Sequence, residues 1–260
     1  MVEELDLELL KPYALILAHG DDEIGVIPIV LKTPPTIVLY LTNGSGIGNS
    51  DFSKKRESEI SRSWRILDCG PEIINFGSKF QIPDGTLHSS FTVNHLEILQ
   101  ELIINAGVKC IVTTHAEGGH QDHDTTFMVS QHLSLKLDIN LFSFHLYCQH
   151  SIMKKLYSVM NTHGSGIKNE IRGLRIRFRA IVTAIRIMSI YRSQWKTWIG
   201  LGLPLAIAMT RKFQILKPNY VSMENYPESD FLFYESRGRA DRASVTRHWS
   251  EIGIISDKHM

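Results

Sequence analysis

The sequence contains no hydrophobic run long enough to cross a membrane. Its longest uncharged apolar stretch, residues 197–210, has about 14 residues and contains Pro204, whereas a membrane-spanning helix needs about 20. The N-terminal segment is acidic and lacks the basic and apolar regions of a secretory signal. We therefore expect a cytoplasmic protein that is soluble or at most peripheral to a membrane.

An excess of charge is also missing. The chain has 28 Lys and Arg against 27 Asp and Glu, a formal net charge of +1. No overall field attracts a polyanion, so we expect no nucleic-acid partner.

Cysteines are few. Cys69, Cys110 and Cys148 are far apart, odd in number and without the spacing of a metal site. This pattern favours a reducing compartment, with the thiols in the core, over a disulfide framework.

Over the first 150 residues, short apolar runs alternate with helical patterns. Strands are predicted over 13–18, 36–41, 72–76, 109–114 and 139–148, and helices over 53–69, over 93–105 and in a segment ending near 136. We expect Ser53 to cap the first of these helices and Gly70 to end it. The alternation predicts an α/β fold with a mostly parallel sheet and helices on both faces.

Beyond about residue 150 the pattern is less regular. Strands are predicted over 219–224 and 231–236, and the last twenty or so residues resemble a surface tail. We expect one domain over residues 1–260, with a motif-bearing core at about 12–150. Residues 151–260 would add substrate-side helices and extra strands.

A cationic amphipathic helix is predicted over residues 171–191. Its apolar positions are Leu174, Phe178, Ile181, Ile185 and Met188, and the neighbouring face carries Arg172, Arg175, Arg179 and Arg186. The favoured interpretation is a helix packed on the core with a solvated arginine face. The alternative is peripheral contact with an anionic membrane or an acidic substrate through residues 171–210.

Polar clusters follow the first and fourth predicted strands. His19 and Asp22 are three residues apart after the first, and His120 and His123 have the same spacing after the fourth. The carboxyl ends of parallel strands meet at one edge, so the clusters can converge there. Two imidazoles and a carboxylate can bind a divalent metal with a position left for water. A dication would also offset the repulsion among the adjacent acids at 21–23.

Three further side chains have candidate roles at such a site. Asp21, a carboxylate beside a metal-activated water, is the candidate general base. His120 could stabilise a developing oxyanion or act as an acid, and Asp122 could orient a histidine. Either cluster alone is more often a structural hydrogen-bonding turn, and only their pairing at two strand ends favours a metal site.

Two motifs also carry a family resemblance. AHGDDE at 18–23 and GGHQDHD at 118–124 resemble the two signatures of the LmbE-like or PIG-L family of zinc-dependent N-acetylglucosaminyl de-N-acetylases, whose first motif usually reads AHPDDE. The segments at 54–70 and 81–87 are similar to that family as well. The resemblance covers roughly residues 12–150.

The resemblance implies a Rossmann-like fold, one Zn²⁺ per chain and a set of site residues. These are His19, Asp22 and His123 as zinc ligands, Asp21 as general base, His120 as an aid to the transition state, and Arg56 and Asp84 as sugar contacts. The sequence departs from the family at Gly20, where proline is usual, and at Gly118, where some members have tyrosine.

The expected function is hydrolysis of the N-acetyl group of an N-acetylated amino sugar of the N-acetylglucosamine type, in a glycoconjugate or glycolipid precursor, with release of acetate. One alternative is a metal-dependent hydrolase of another bond, such as a phosphoester. Another is a non-catalytic glycan-binding or membrane-associated relative. Asp21 argues against the last, because a protein that only binds needs no base beside the metal.

Overall fold

The computed structural model describes residues 3–46, 49–149, 157–159, 170–174, 178–199, 213–218, 226 and 232–254. The strands are β1 (Glu3–Glu4), β2 (Tyr13–Leu17), β3 (Ile37–Tyr40), β4 (Glu72–Ile74), β5 (Cys110–Thr114), β6 (Asn140–Phe144), β7 (Tyr147–Gln149), β8 (Tyr157–Val159), β9 (Glu170–Leu174) and β10 (Phe213–Lys217). The helices are α1 (Ile27–Val30), α2 (Ser50–Leu67), α3 (Phe76–Lys79), α4 (Leu87–Ser90), α5 (Val93–Asn105), α6 (Gln121–Leu137), α7 (Phe178–Ile190), α8 (described over 195–199), α9 (Phe233–Ser236) and α10 (Arg242–Glu251). Short 3-10 turns occupy Leu7–Leu10, Asp22–Val26 and Arg192–Gln194.

Eight strands form one mixed sheet in the order β1-β9-β10-β6-β5-β2-β3-β4. The pairs from β4 through β3, β2 and β5 to β6 are parallel, and β10 runs antiparallel between β6 and β9. The predicted mostly parallel α/β sheet is therefore confirmed. β2 and β5 are neighbours at its centre, so their carboxyl ends lie side by side.

Each face of the sheet has its own core. In β2, Leu15 and Leu17 pack with α1, α2 and α7, whereas Ala14 and Ile16 pack with α5, α6 and α10. Successive side chains of a strand point to opposite faces, so a strand covered on both sides is apolar throughout. This is why the run at 13–17 shows no polar alternation.

Two predicted boundaries of α2 are wrong. The cap is Asn49, whose side chain accepts a hydrogen bond from the backbone N of Phe52, and the helix already includes Ser53. The last helical residue is Leu67, and the C-cap is Asp68 in the left-handed conformation, not Gly70. Asn and Asp tolerate these end positions, so the predicted residues were not needed there.

The predictions for the C-terminal part need more correction. Residues 170–174 form β9 rather than the start of a helix, because they pair with β1 and β10, and the helix begins only at Phe178. Where a strand was predicted over 231–236, the structure has the short helix α9 (Phe233–Ser236). The strand predicted over 219–224 lies outside the described residues. The expected tail contains α10, whose Val245 and Trp249 are fully buried.

Among the described residues, none of the helices combines the length and the apolar character that a transmembrane span requires.

Candidate metal centre

The first motif follows the carboxyl end of β2. His19 lies two residues beyond the strand, and Asp22 begins a 3-10 turn. The backbone N of His19 donates to Asp22 Oδ2 at 2.8 Å, which fixes the carboxylate beside the imidazole. Asp21, between them, has a φ of 135°, a conformation that L-residues with side chains rarely adopt. The turn thus holds His19 and Asp22 together and strains the backbone at Asp21.

The second motif follows β5 and opens α6. His120 is the N-cap residue of α6, and its Nδ1 accepts a hydrogen bond from the backbone N of Asp122 at 3.2 Å. His123 lies in the first turn and is buried. Because β5 runs parallel to β2 as its neighbour, both motifs lie at the same edge of the sheet.

Three ligand-type side chains converge at this edge. His123 Nε2 lies 3.2 Å from Asp22 Oδ1 and 3.3 Å from His19 Nδ1, and His19 Nδ1 lies 3.7 Å from Asp22 Oδ2. A tetrahedral zinc ion with bonds of about 2.0 to 2.1 Å keeps its ligand atoms about 3.3 to 3.4 Å apart. The donor set and its spacing therefore fit a Zn²⁺ ion with one position left open.

The electrostatics of the cluster favour positive charge. Burial alone would lower the pKa of His19 and of His123, but the surrounding carboxylates outweigh it and raise both pKa values. Burial raises the pKa of Asp22, yet His123 and His19 hold it at about 2. Two imidazoles and an ionised carboxylate are thus held where a cation is stabilised.

The other nitrogen of His19 faces two more carboxylates. Nε2 lies 3.0 Å from Asp122 Oδ2 and 3.1 Å from Asp84 Oδ1. Asp122 is fully buried and also accepts from the backbone N of Gly85 at 2.6 Å and of Leu87 at 3.0 Å. A carboxylate on the outer nitrogen of a ligating histidine fixes its tautomer and ring orientation. Asp122 is therefore placed to orient His19.

His120 lies beside this pair without belonging to the first cluster. Its ring meets that of His19 edge-on at 4.8 Å between centroids, and its Nε2 lies 3.9 Å from Asp84 Oδ1. Burial, and then the charge of His19, lower the pKa of His120 to about 3. Because Nδ1 accepts a hydrogen bond, the single proton of the neutral ring is on Nε2.

Asp84, predicted as a sugar contact, is thus close to the histidines. Its side chain is 31% exposed, and with His19, His120 and Asp122 it forms a second group whose atoms are close enough to bind a metal ion. His19 belongs to both groups, through Nδ1 in one and Nε2 in the other. The contact with a sugar stays a prediction.

Asp21 pairs with Arg56. Arg56 Nη2 donates to Asp21 Oδ1 at 3.1 Å and also to the carbonyl oxygen of Gly20. Burial raises the pKa of Asp21, Arg56 lowers it and Asp22 raises it again, with a resulting pKa of about 7. A carboxyl group with that pKa can both accept and donate a proton near neutral pH.

Arg56 itself is a buried residue of α2. Its side chain is 1% exposed, Nη1 donates to Ser193 Oγ at 3.1 Å and lies 3.7 Å from Glu59 Oε2, and the guanidinium lies over the ring of Tyr191. We therefore assign Arg56 to the positioning of Asp21, and its predicted contact with a sugar stays a prediction.

Glu23, the third acid of the motif, lies in a pocket of hydroxyl groups. Ser63 Oγ donates to it at 2.6 Å and Tyr40 OH at 3.2 Å, and Tyr191 OH donates to it as well. The backbone N of Asp21 donates to the same carboxylate at 2.9 Å. Glu23 therefore stabilises the turn through its hydrogen bond with the backbone N of Asp21. Of the three acids, only Asp22 belongs to the metal-capable cluster with His19 and His123.

Gly20, which stands where the family usually has proline, packs against Ile60 of α2. A Cβ atom added to Gly20 would come within 2.4 Å of Ile60 Cγ1 and 2.5 Å of its Cδ1. Ile60 is a buried residue of α2 and occupies the space that a proline ring would need. The packing of Ile60 against the motif therefore favours glycine at position 20.

A second carboxylate network, around Asp124 in the first turn of α6, was not predicted from the sequence. Asp124 Oδ1 accepts from the backbone N of Glu117 at 3.1 Å and of Gly118 at 3.2 Å, and Tyr226 OH donates to its Oδ2 at 2.5 Å. Gly118 has a φ of 71°, which favours glycine over the tyrosine of some family members. Asp124 stands within the second motif, but no local pattern connects it to Tyr226, 102 positions away.

One segment of the chain is similar to a known protein family. It contains both motifs, nearly all of β2 to β5 and most of α6. The model of the PIG-L family, described as GlcNAc-PI de-N-acetylase, covers these elements. Residues 14–133 match the PIG-L family. The predicted resemblance is confirmed for that segment. Comparison with curated proteins gave no match for the chain.

Solved structures with the same fold include deacetylases. The chain is similar to a deacetylase of the teicoplanin biosynthesis pathway in complex with bog, at 12% identity and a TM-score of 0.58, over 79% of this chain and 97% of that one. It is similar to the A40926 pseudoaglycone deacetylase Dbv21, at 14% identity and 0.57, over 80% and 96%. The zinc-inhibited form of teicoplanin deacetylase Orf2 matches at 10% identity and 0.58, over 79% and 97%. These structures share the α/β fold of this chain.

Proposed function

We propose that the protein is a zinc-dependent hydrolase that removes the N-acetyl group from an N-acetylated amino sugar carried on a larger conjugate. The observation that carries the proposal is the convergence of His19, Asp22 and His123, with ligand atoms 3.2 to 3.7 Å apart, beside a carboxyl group whose pKa is about 7. The PIG-L match over residues 14–133 and the deacetylases among the similar structures support the choice of an acetamide as the bond that is cleaved.

The residues divide the chemistry between them. His19, Asp22 and His123 would hold the ion, which when bound polarises a carbonyl group and lowers the pKa of a water molecule. Asp21 removes a proton from the attacking water and later delivers it to the leaving nitrogen, so that acetate and a free amine result. His120, neutral with its proton on Nε2, donates a hydrogen bond to the oxyanion that forms when water adds to the amide.

The deciding experiment compares two adjacent carboxylates. Zinc per chain and acetate release from N-acetylglucosamine conjugates are measured for the wild type, Asp22→Asn and Asp21→Asn. We expect about one zinc in the wild type and little in Asp22→Asn, because that variant loses a ligand. Asp21→Asn should keep the metal and lose acetate release by a factor of about 100 or more, because it loses the base.

Asp51→Asn, an exposed acid in the first turn of α2, is the matched control and should change neither quantity. Wild-type protein that takes up no stoichiometric zinc on reconstitution would refute the metal site. Normal turnover in Asp21→Asn would remove that residue as the base. Release of phosphate from phosphorylated sugars without release of acetate would show hydrolysis of a different bond.

A further inference from the structure

Helix α7 packs only one of its sides on the protein. Ala180, Ala184 and Ile187 are buried against the core on the α2 side of the sheet. The opposite side carries three large apolar residues in positions i, i+4 and i+7, which are Phe178, Val182 and Ile185. Phe178 is 79% exposed and Ile185 is 59% exposed. Apolar residues at this spacing form a continuous stripe along a helix.

The same side of α7 is basic. Arg179 and Arg186 are exposed and each follows one residue after a member of the apolar stripe. Within the described part of the chain, neither forms an ion pair. We call Phe178, Arg179, Val182, Ile185 and Arg186 the outer face of α7.

The surroundings of this face in the sequence are strongly basic. Residues 171–223 contain ten Lys and Arg and no Asp or Glu. The whole chain has 28 basic and 27 acidic residues, so the remainder has 18 against 27. The positive charge of the sequence is therefore concentrated in the part of the chain that contains α7, which extends the cationic pattern noted over residues 171–191.

We infer that the outer face of α7 docks on the surface of an anionic phospholipid bilayer. Apolar side chains of an amphipathic helix enter the headgroup boundary, while arginines pair with lipid phosphates. A second copy of the chain is a poor occupant, because a two-fold contact sets the same patch against itself and would bring Arg179 and Arg186 close to their own counterparts. After α7, Trp195 and Ile199 add exposed apolar surface at 56% and 74%.

The docking helix is bonded to the turn that carries the candidate metal ligands. Tyr191, directly after α7, donates its hydroxyl hydrogen to Glu23, and the backbone N of Ser193 donates to Glu59 Oε1 at 3.0 Å. Glu59 in turn lies beside Arg56, the partner of Asp21. Two hydrogen bonds, from Tyr191 to Glu23 and from Ser193 to Glu59, thus connect the segment after α7 to the candidate site.

The test is co-sedimentation of the purified full chain with vesicles. Vesicles of pure phosphatidylcholine are compared with vesicles that contain one third phosphatidylglycerol, at low and at high salt. We expect binding to the anionic vesicles that falls steeply with salt, and little binding to the neutral ones. If the wild-type protein sediments equally with the neutral and the anionic vesicles, the inference is overturned without any variant.

Two double variants test the two components of the face. Phe178→Ser with Ile185→Ser removes apolar surface, and Arg179→Gln with Arg186→Gln removes charge. Each should weaken the partition to anionic vesicles by about ten-fold or more. All four positions are exposed, so circular dichroism and melting curves should match those of the wild type.

Matched controls lie on other helices. Ile104→Ser with Leu135→Ser changes exposed apolar residues of α5 and α6, and Arg62→Gln with Arg65→Gln changes exposed arginines of α2. Controls that weaken binding as much as the test variants would overturn the inference. A dimer in sedimentation velocity that dissociates in Phe178→Ser with Ile185→Ser, without a change in vesicle binding, would assign the face to a second copy instead.

Docking requires neither bound metal nor deacetylase activity. Asp22→Asn, which should lose zinc, is expected to bind the vesicles as the wild type does. Failure of the proposed function would therefore leave the vesicle result intact, and failure of docking would leave the zinc and acetate results intact.

Discussion

At the scale of single residues, three adjacent acids have three separate partners. Asp21 pairs with Arg56, Asp22 with His19 and His123, and Glu23 with hydroxyl groups. The expectation that one dication offsets all three charges is too simple, because the turn directs each carboxylate to a different part of the protein. Arg56 is therefore the direct hydrogen-bonding partner through which the Asp21 carboxylate can be altered without replacing a candidate metal ligand.

The pairing of Asp21 with Arg56 predicts a change in pH dependence for Arg56→Gln. In the proposed mechanism Asp21 is the base and must be deprotonated, so we expect the activity to fall as the pH drops through the pKa of Asp21. Arg56 lowers that pKa, and its loss raises it. The acid limb of kcat/KM should therefore move to higher pH by about one unit or more.

The measurement is the pH profile of acetate release for the wild type, Arg56→Gln and Arg56→Lys. The lysine variant keeps the positive charge, so its acid limb should stay closer to that of the wild type. Identical acid limbs in all three proteins would mean that Arg56 does not act through Asp21. Melting curves show whether a variant is still folded at the pH values used.

At the scale of elements, the sequence predicted the helices and strands whose formation depends on neighbouring residues, and it missed those that depend on distant ones. Strands β2 and β3 are continuous apolar runs before polar clusters, and β5 begins with three apolar residues before its two threonines. The helix at 93–105 begins with a capping box of Thr92 and His95. These elements were predicted closely. β9 was missed because its strand character comes from pairing with β1 and β10. The candidate ligands could be found from strand ends alone, whereas the burial of Arg56 and the outer partner of His19 depend on tertiary contacts.

The short helix α3 contains Gly77, which packs directly against the backbone after β3. A Cβ atom on Gly77 would lie 2.1 Å from the backbone carbonyl carbon of Thr42 and 2.6 Å from the backbone N of Asn43. Backbone atoms cannot move aside as a side chain can. Gly77→Ala should therefore lower the free energy of unfolding by about 1–3 kcal/mol, as overpacking does.

Urea unfolding of Gly77→Ala beside Gly70→Ala measures this effect. A Cβ atom at Gly70 would meet nothing within 4 Å, so that substitution should stay within about 0.5 kcal/mol of the wild type. Equal stability of the two variants would contradict the close approach of α3 to the end of β3.

At the scale of the whole molecule, the PIG-L segment is incomplete as a folding unit. Residues 14–133 contain both motifs, yet β6, β9 and β10 of the same sheet and α10 come from outside this range. Tyr226 bonds to Asp124, and Trp249 Nε1 donates to Thr125 Oγ1 at 3.3 Å. The C-terminal part thus holds the helix that carries His123. A single domain over residues 1–260 and a cytoplasmic location stay predictions.

Loss of this support should be measurable as stability. Trp249→Ala removes a fully buried side chain that packs on α6 and on the ring of Tyr226, and it should lower the free energy of unfolding by about 3–5 kcal/mol. Trp195→Ala, at an exposed tryptophan, should change it by about 0.5 kcal/mol or less. Urea unfolding measures the free energy of unfolding of both variants. A small change in Trp249→Ala would mean that α10 is a surface tail, as the sequence suggested, and not part of the core.

The backbone of Asp21 also bears on how selection has acted on this turn. A φ of 135° suits glycine, and a residue with a side chain held there costs about 1–3 kcal/mol. A chain selected for stability alone would have glycine at this position. Under the proposed function, the carboxylate at this position is a compromise in which part of the stability of the fold is given up for a proton acceptor that glycine cannot supply.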